Sequence, residues 1–316
     1  MTIVLVEGDA YSDAIVSLVS IAHPNYPLTV ADHLEYKRFN EDMFRREWVA
    51  VDAGGCVIGY ALISQNHHEY TEGKFDIELV VAPENRGNGI ASLLYQQIMD
   101  AAVEQNAIGL RCYVDTTDGD GAKWASARGY ERTLVCCDVV LDVAACQLPS
   151  ESDLSKNASE LGIRVSTFAA EMLLDEAAPN KFHKLSTEIR RDIPGPDVLE
   201  DVPFEQFVKS LDSPNRLGDA QFVAIRDGEW IGMSTLWRRG ADDVLQTGAT
   251  GVVRSERGKG IATLLKHYAV HYAKQRGAPQ IITDNAEQNA PMRAINQQLG
   301  FIALPETWLM EKSLIR

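Results

Sequence analysis

The stretch Arg86-Gly87-Asn88-Gly89-Ile90-Ala91-Ser92-Leu93-Leu94 returns as Arg257-Gly258-Lys259-Gly260-Ile261-Ala262-Thr263-Leu264-Leu265, an offset of 171 residues. The same offset carries Gly129-Tyr130 onto Gly300-Phe301, so the interval between the landmarks keeps its length in both halves. Upstream, Trp48-Val49-Ala50-Val51-Asp52 with Gly59 is echoed by Phe222-Val223-Ala224-Ile225-Arg226 with Gly232, and Ile3 to Val6 by Ile163 to Val165, at drifting offsets. Two copies of one domain follow, because the period is far longer than the roughly 20–50 residues of stacked repeats. A chain of 316 residues accommodates two domains of ordinary size. The polar run Leu148-Pro149-Ser150-Glu151-Ser152-Asp153 reads as part of a linker over residues 147–162. That places an N-terminal domain at 1–150 and a C-terminal domain at 160–316.

Within each copy the order is strand, helical stretch, hairpin, strand, glycine turn, helix, strand, helix, strand. Asp52-Ala53-Gly54-Gly55 and Asp227-Gly228-Glu229, each between apolar runs, mark the hairpins. Phe75 to Val81 reads as a strand that passes through Ala82-Pro83-Glu84-Asn85 into the turn, and Gly89 to Ala102 as a helix with Ile90, Leu93, Leu94 and Ile98 at helical spacing. A glycine turn that opens a helix removes Cβ atoms and leaves several N–H groups unpaired. The helix dipole adds about half a positive charge, and Arg86 or Arg257 adds a full one. Such a place binds phosphate. Neither copy completes Gly-x-Gly-x-x-Gly or the Gly-Lys-Ser/Thr of a P-loop, which disfavours dinucleotide and nucleoside-triphosphate sites.

With 45% hydrophobic and 24% charged residues the chain has the composition of a soluble globular protein. No apolar run reaches the ~18 residues of a membrane span, and Met1 to Glu7 lacks a basic start, so a cytoplasmic protein without membrane contact is expected. Five cysteines without a CxxC pair fit thiols in a reducing compartment. Thirty Lys and Arg against 45 Asp and Glu give a net charge of −15, which argues against nucleic acid as a partner. Residues 1–150 carry −12 of it and residues 151–316 carry −3, so an anionic ligand meets less repulsion in the second half.

Val81-Ala82-Pro83-Glu84-Asn85-Arg86-Gly87-Asn88-Gly89-Ile90-Ala91 resembles motif A of the GCN5-related N-acetyltransferases (GNAT), Gln/Arg-x-x-Gly-x-Gly/Ala after a strand, and Arg257 to Ala262 matches it as well. Asn289-Ala290-Pro291-Met292-Arg293-Ala294-Ile295-Asn296-Gln297-Gln298-Leu299-Gly300-Phe301 is similar to the family's later helix and closing Gly-Phe; the first copy keeps only Trp124 to Tyr130. The resemblance covers nearly the whole chain as a tandem pair, an arrangement also similar to mycothiol synthase. It implies an α/β (α+β) fold of two tandem GNAT domains, each a mixed, mostly antiparallel sheet flanked by helices and splayed between its fourth and fifth strands. Acetyl-CoA, the implied co-substrate, would lie in the splay. Its pyrophosphate would sit on Arg86, Gly87, Asn88, Gly89, Ile90 and Ala91, or on Arg257, Gly258, Lys259, Gly260, Ile261 and Ala262, and backbone groups at Val81, Val252 and Val253 would meet the pantetheine arm and thioester. The implied reaction is direct acetyl transfer to the primary amine of a small molecule; the alternative is a non-catalytic acyl-CoA-binding or scaffolding protein.

Many family members place a Tyr five residues before the Gly-Phe aromatic to protonate the departing thiolate, but here those positions hold Ala125 and Asn296. Glu78, on the strand before the first turn, is the leading candidate base; its counterpart by the 171 offset is Ala249. Glu287 and Asp284 are weaker candidates in the second copy. Asn289 and Asn296 offer amides that can pair with a pantetheine arm, whereas Asp118 replaces Asn289 in the first copy. No metal is expected: His267 and His271 lack the Glu of His-Glu-x-x-His, and the Asp115 to Gly121 run lacks the closing Glu of a calcium loop. The acidic balance, with Glu78, Asp76 and Asp192 near the implied acceptor side, points to a cationic amine. The less acidic, more complete second copy is expected to bind acetyl-CoA more tightly and to carry most of the catalysis. Acyl chain length and oligomeric state stay open.

Overall fold

The computed structural model describes every residue of the chain except Pro27, Asp118, Pro196, Val198, Ala241, Asp242 and Arg316. Up to residue 142 the elements are β1 (Thr2–Leu5), α1 (Ser12–Ala22), α2 (Val30–Phe39), β2 (Arg45–Val51), β3 (Val57–Ser64), β4 (Lys74–Val81), α3 (Ile90–Glu104), β5 (Gly109–Asp115), α4 (Asp120–Ser126) and β6 (Glu131–Asp142). There follow α5 (Glu151–Glu160), β7 (Arg164–Thr167), α6 (Phe168–Met172), α7 (Ala178–Arg190), α8 (Phe204–Ser210), β8 (Arg216–Arg226) and β9 (Glu229–Arg239). The chain ends with β10 (Val244–Val252), α9 (Ile261–Arg276), β11 (Gln280–Ala286), α10 (Ala290–Gln298), β12 (Ile302–Ala303) and β13 (Thr307–Ser313). No helix among the described residues is long and apolar enough to cross a membrane.

Two compact units result: unit 1 is Met1–Cys136, Gly195–Asp201 and Pro305–Arg316, and unit 2 is Cys137–Pro194 and Val202–Leu304. The linear division into residues 1–150 and 160–316 is therefore corrected. β6 runs without a break through residues 131–142, and the last strand of the chain belongs to the first unit. Most of the expected linker is also helical. Ser150 and Asp153 form a reciprocal capping box, and α5 buries Leu154 and Ala158 in the core of unit 2.

In unit 1 the strands run β1-β2-β3-β4-β5-β13-β6, antiparallel except for β4 and β5. Period-two alternation gives the sheet two apolar faces. On one, Ile90, Leu94, Ile98 and Ala102 of α3 pack against Trp48, Ala61, Ile63, Phe75, Ile77 and Leu110. On the other, Ile15 and Leu18 of α1 cover Val49, Tyr60 and Val80. Unit 2 repeats the plan with β7-β8-β9-β10-β11, antiparallel except for β10 and β11. There α9 packs through Ile261, Leu265 and Ala269, and α7 covers the opposite face with Phe182, Leu185 and Ile189. Each unit is thus the mixed, mostly antiparallel sheet flanked by helices that the resemblance implies.

Candidate functional site

Each unit carries the same glycine turn between a strand end and a long helix. Gly87 and Gly89 have φ of 79° and 79°, Gly258 and Gly260 have 75° and 82°, all in the left-handed region that costs other residues strain. The N–H groups from Gly87 to Ala91 and from Gly258 to Thr263 have no hydrogen-bond acceptor among the described residues. A Cβ added at any of the four glycines would meet nothing within 4 Å, so both turns face open space. Ile90 and Ile261 are buried and anchor the helix starts. Arg86 Nε donates to Val81 O at 3.3 Å, and Arg257 Nε to Val252 O at 3.2 Å, which fixes each guanidinium beside its strand end. Unpaired N–H groups, a helix N-terminus and a positioned arginine fit a pyrophosphate.

Beside each turn the sheet opens. β4 pairs with β5 only from Lys74 to Asp76, and β10 with β11 only at Leu245 and Gln246, although β4 continues to Val81 and β10 to Val252. Ala82 N–H donates to Ile58 O at 3.0 Å and Val253 N–H to Ile231 O at 2.9 Å. Successive N–H groups alternate along a strand, so those of Val81 and Val252 face the wedge. Val253 is a correction in this respect, since its N–H is spent on the neighbouring strand.

The wedges differ in what borders them. Glu78 lies two residues past the last pair of β4, on the face away from α3, and accepts from His23 Nε2, 3.2 Å from Oε1 and 3.1 Å from Oε2. The same face holds a buried ionic cluster. Asp76 accepts from Arg111 Nε at 2.8 Å and from Asn66 Nδ2 at 2.9 Å, yet burial lifts its carboxyl to about 6. Burial would also raise Glu47, but hydrogen bonds from Arg45 and Tyr60 outweigh it and hold Glu47 at about 2. In unit 2 the register between β9 and β10 shifts by one residue between Thr247 and Thr250, a bulge absent from the β3–β4 pair. The counterpart of Glu78 falls in that bulge, at Gly248 or Ala249, where no side chain can take a proton.

Other expected site residues have partners of their own. Asn289 caps α10, its Oδ1 accepting from Met292 N–H at 3.4 Å. Asn296 is buried and accepts from Lys266 Nζ at 2.5 Å while its Nδ2 donates to Asn285 Oδ1 at 2.6 Å, so the amide is engaged within the protein. Glu287 is exposed and contributes its carbonyl to Arg293. Asp192 is corrected from the acceptor side to the second cradle, where Arg254 and Arg257 both donate to it and hold its carboxyl below the usual range. Lys259 pairs with Glu256 at 3.0 Å, and Asn88 Nδ2 donates to Asn85 O at 3.1 Å. Asp118 lies outside the described residues. Among the described residues no cluster of three or more His, Cys, Asp or Glu could hold a metal, and His271 Nε2 contacts Pro149 O at 2.7 Å.

Two residues were not found by sequence reasoning. His23 follows α1 with no local pattern to mark it. Lys266 did leave a signal: it interrupts the apolar stripe Ile261, Leu265, Ala269 and aligns with Tyr95 at the repeat offset. It is 3% exposed, its ammonium lies 4.9 Å from the Phe301 ring centre, and burial lowers it to about 7.

The sequence profile described as "Acetyltransferase (GNAT) family" matches residues 15–124 and 182–301, well over half of the chain. Among solved structures, a GCN5-related N-acetyltransferase from Sphaerobacter thermophilus superposes with a TM-score of 0.72 at 16% identity, over 99% of this chain and 96% of that one. A tandem GNAT protein from the clavulanic acid biosynthesis pathway gives 0.75 at 19% identity, over 100% and 99%. A glucosamine N-acetyltransferase region of a fungal multi-domain GH3 β-N-acetylglucosaminidase gives 0.71 at 16%, over 98% of this chain and 38% of that longer one. No curated protein matches by sequence. Duplicated cradles, wedges that open beside them and a profile that matches once in each half lead to one assignment: the chain belongs to the GNAT acetyltransferase family, as a tandem pair of its domains.

Proposed function

We propose that the protein is a cytoplasmic N-acetyltransferase that moves an acetyl group from acetyl-CoA to a primary amine of a small molecule by direct transfer, with unit 1 as the catalytic unit. The observation that carries this reading is the Glu78–His23 pair bordering an open wedge that leads to a phosphate cradle. Acetyl-CoA, when bound, supplies the thioester. Arg86 and the N–H groups of Gly87, Asn88, Gly89, Ile90 and Ala91 hold its pyrophosphate, and the Val81 N–H polarises the carbonyl that the amine attacks. An alkylammonium with a pKa near ~10.4 is neutral in only about one part in a thousand at pH 7, so a base must take its proton. Glu78, acting with His23, takes it. As the nitrogen–carbon bond forms the carbon–sulfur bond breaks, and solvent protonates the departing thiolate because Ala125 offers no acid. That none of the five cysteines is in a disulfide supports the cytoplasmic assignment.

Unit 2 supports a different role. Arg257 and the backbone of Gly258, Lys259, Gly260, Ile261 and Ala262 form the same cradle, but Gly248 and Ala249 replace the base. That absence favours acyl-CoA binding without turnover in this unit, the reverse of the assignment expected from motif completeness. Free thiol released from acetyl-CoA, measured across a panel of small amines with the wild type and Glu78→Gln, tests the proposal. Amine-dependent release that Glu78→Gln loses supports it; no release with any amine overturns it.

A further inference from the structure

Arg216, on β8 of unit 2, is a half-buried cation without a counter-ion among the described residues. Its Cζ lies 5.4 Å from the Phe168 ring centre, 5.3 Å from Phe182, 5.3 Å from Phe207 and 5.1 Å from Trp237. Nη1 donates to Ser210 Oγ at 3.2 Å. Nε and Nη2 are shielded from water and have no acceptor among the described residues. Those two nitrogens form the side-on fork of a guanidinium, the edge with which Arg38 grips both oxygens of Glu35 at 2.9 and 2.9 Å elsewhere in the chain. Ring faces attract a guanidinium, but they supply no lone pairs in its plane, so the fork is left unsatisfied. No carboxylate among the described residues offsets the charge, and burial lowers this group to about 10. An unpaired buried charge is strongly destabilising unless a ligand completes it.

The box adjoins the wedge of unit 2. Trp237, one of its walls, directs Nε1 at Gly248 in the β10 bulge: a Cβ there would lie 2.4 Å from Nε1 and 2.7 Å from Thr235 Oγ1. Only glycine lets the indole lie against the bulge. The Trp237 Nε1–H has no acceptor among the described residues, so a second idle donor stands next to the fork. Two donor groups in an apolar box match a planar carboxylate on an apolar body; a strongly hydrated phosphate would lose more water than three donors return.

We infer that unit 2 binds a small carboxylate-bearing molecule, its carboxylate held by the Nε and Nη2 of Arg216 within the Phe168, Phe182, Phe207 and Trp237 box. The carboxylate belongs either to an acceptor amine or to a ligand that does not react, and the test separates the two. It is independent of the acetyl-transfer reading, because it is read by binding.

The test uses the full chain and matched probes: β-alanine against ethylamine, phenylalanine against phenethylamine, and benzoate and inorganic phosphate alone. Calorimetry and thermal melts are run on the wild type, Arg216→Met, Arg216→Lys and Trp237→Phe. At least one carboxylate is expected to raise the melting temperature while its decarboxylated partner and phosphate do not. Arg216→Met should lower its affinity by about tenfold or more, and Arg216→Lys, which keeps the charge but loses the fork, should also weaken it. With no ligand, Arg216→Met should melt at the wild-type temperature or above it, since an uncompensated charge has been removed. Equal effects of both members of every pair, no carboxylate binding, or carboxylate binding unchanged in Arg216→Lys would overturn the inference. Arg216→Met melting well below the wild type would also overturn it, because the arginine would then be a structural clamp. Acetylation of the bound carboxylate-bearing amine identifies it as an acceptor; binding without acetylation identifies a non-reacting ligand. Absence of thiol release with every amine would remove the transfer reading and leave this site standing.

Discussion

At the residue scale, two ionisable groups separate the units. Glu78 is only partly buried and is bonded to a histidine, so its carboxylate stays within reach of a proton. Glu78→Gln is expected to lower kcat by about 100-fold or more while the acetyl-CoA affinity stays near the wild-type value, as removal of a general base requires. His23→Ala should lower kcat less, because the carboxylate remains. A matching fall in acetyl-CoA affinity would show that the pair serves binding. Lys266 poses a stability question instead. Burial lowers its folded pKa to about 7 from 10.5. Between those values the unfolded chain holds a proton that the folded chain has released, so stability rises with pH through that window. Below it the ammonium is charged in both states and the full cost of burying it is felt, of the order of a few kcal/mol. Lys266→Met should therefore raise the melting temperature clearly at about pH 6 and little at about pH 10. An equal change at both would mean that folding does not shift the titration of the lysine.

At the scale of elements, the cradles are local structures and were legible for that reason. A strand, two glycines and an apolar helix stripe are encoded within about 25 neighbouring residues, as are hairpin turns such as Asp227-Gly228, where φ is 50° and 83°. What was not legible is how each cradle is charged and what faces it. The less acidic second half favours the second cradle, but Glu256 and Asp192 consume much of that advantage through contacts with Lys259, Arg254 and Arg257. Asp192 is 65 residues from Arg257, and no periodicity links them. The missing base was legible at Ala249, but the one-residue bulge in which that position lies could not be read from a motif that resumes in register at Val252. Asp192→Asn should tighten acetyl-CoA binding at the second cradle, by no more than about 1 kcal/mol because Arg254 and Arg257 are exposed. Gly89→Glu, which forces a side chain into the left-handed position and into the first cradle, should abolish transfer, whereas Gly260→Glu should remove one acetyl-CoA site and leave transfer largely intact. The opposite pattern in a turnover assay would return catalysis to unit 2.

At the scale of the whole molecule, the duplication was plain in the sequence but the partition of the chain was not. A repeat shows that two similar units exist; it does not show which copy of a strand completes which sheet, because strand pairing depends on contacts far apart in sequence. β13 lies between β5 and β6, pairing Thr307–Ser313 with Asp115–Gly109 on one side and Thr307–Glu311 with Cys136–Glu131 on the other. It places Met310 in the core of unit 1, its Leu309 is buried as well, and Lys312 Nζ donates to the Tyr95 hydroxyl at 3.2 Å. Burial of Leu309 and Met310 alone is worth about 1.5–3 kcal/mol each, a large part of a domain's net stability. A chain ending at Leu304 is therefore expected to lose the native state of unit 1, with fast amide exchange across β5 and loss of transfer. Unit 2, whose residues are all retained, should keep its slow exchange along β8 and β9. For the same reason residues 1–150 expressed alone should not unfold cooperatively, and adding a peptide spanning residues 305–316 should restore protection at β5. If residues 1–150 fold cooperatively without that peptide, the last strand is an accessory to unit 1 rather than a part of its sheet.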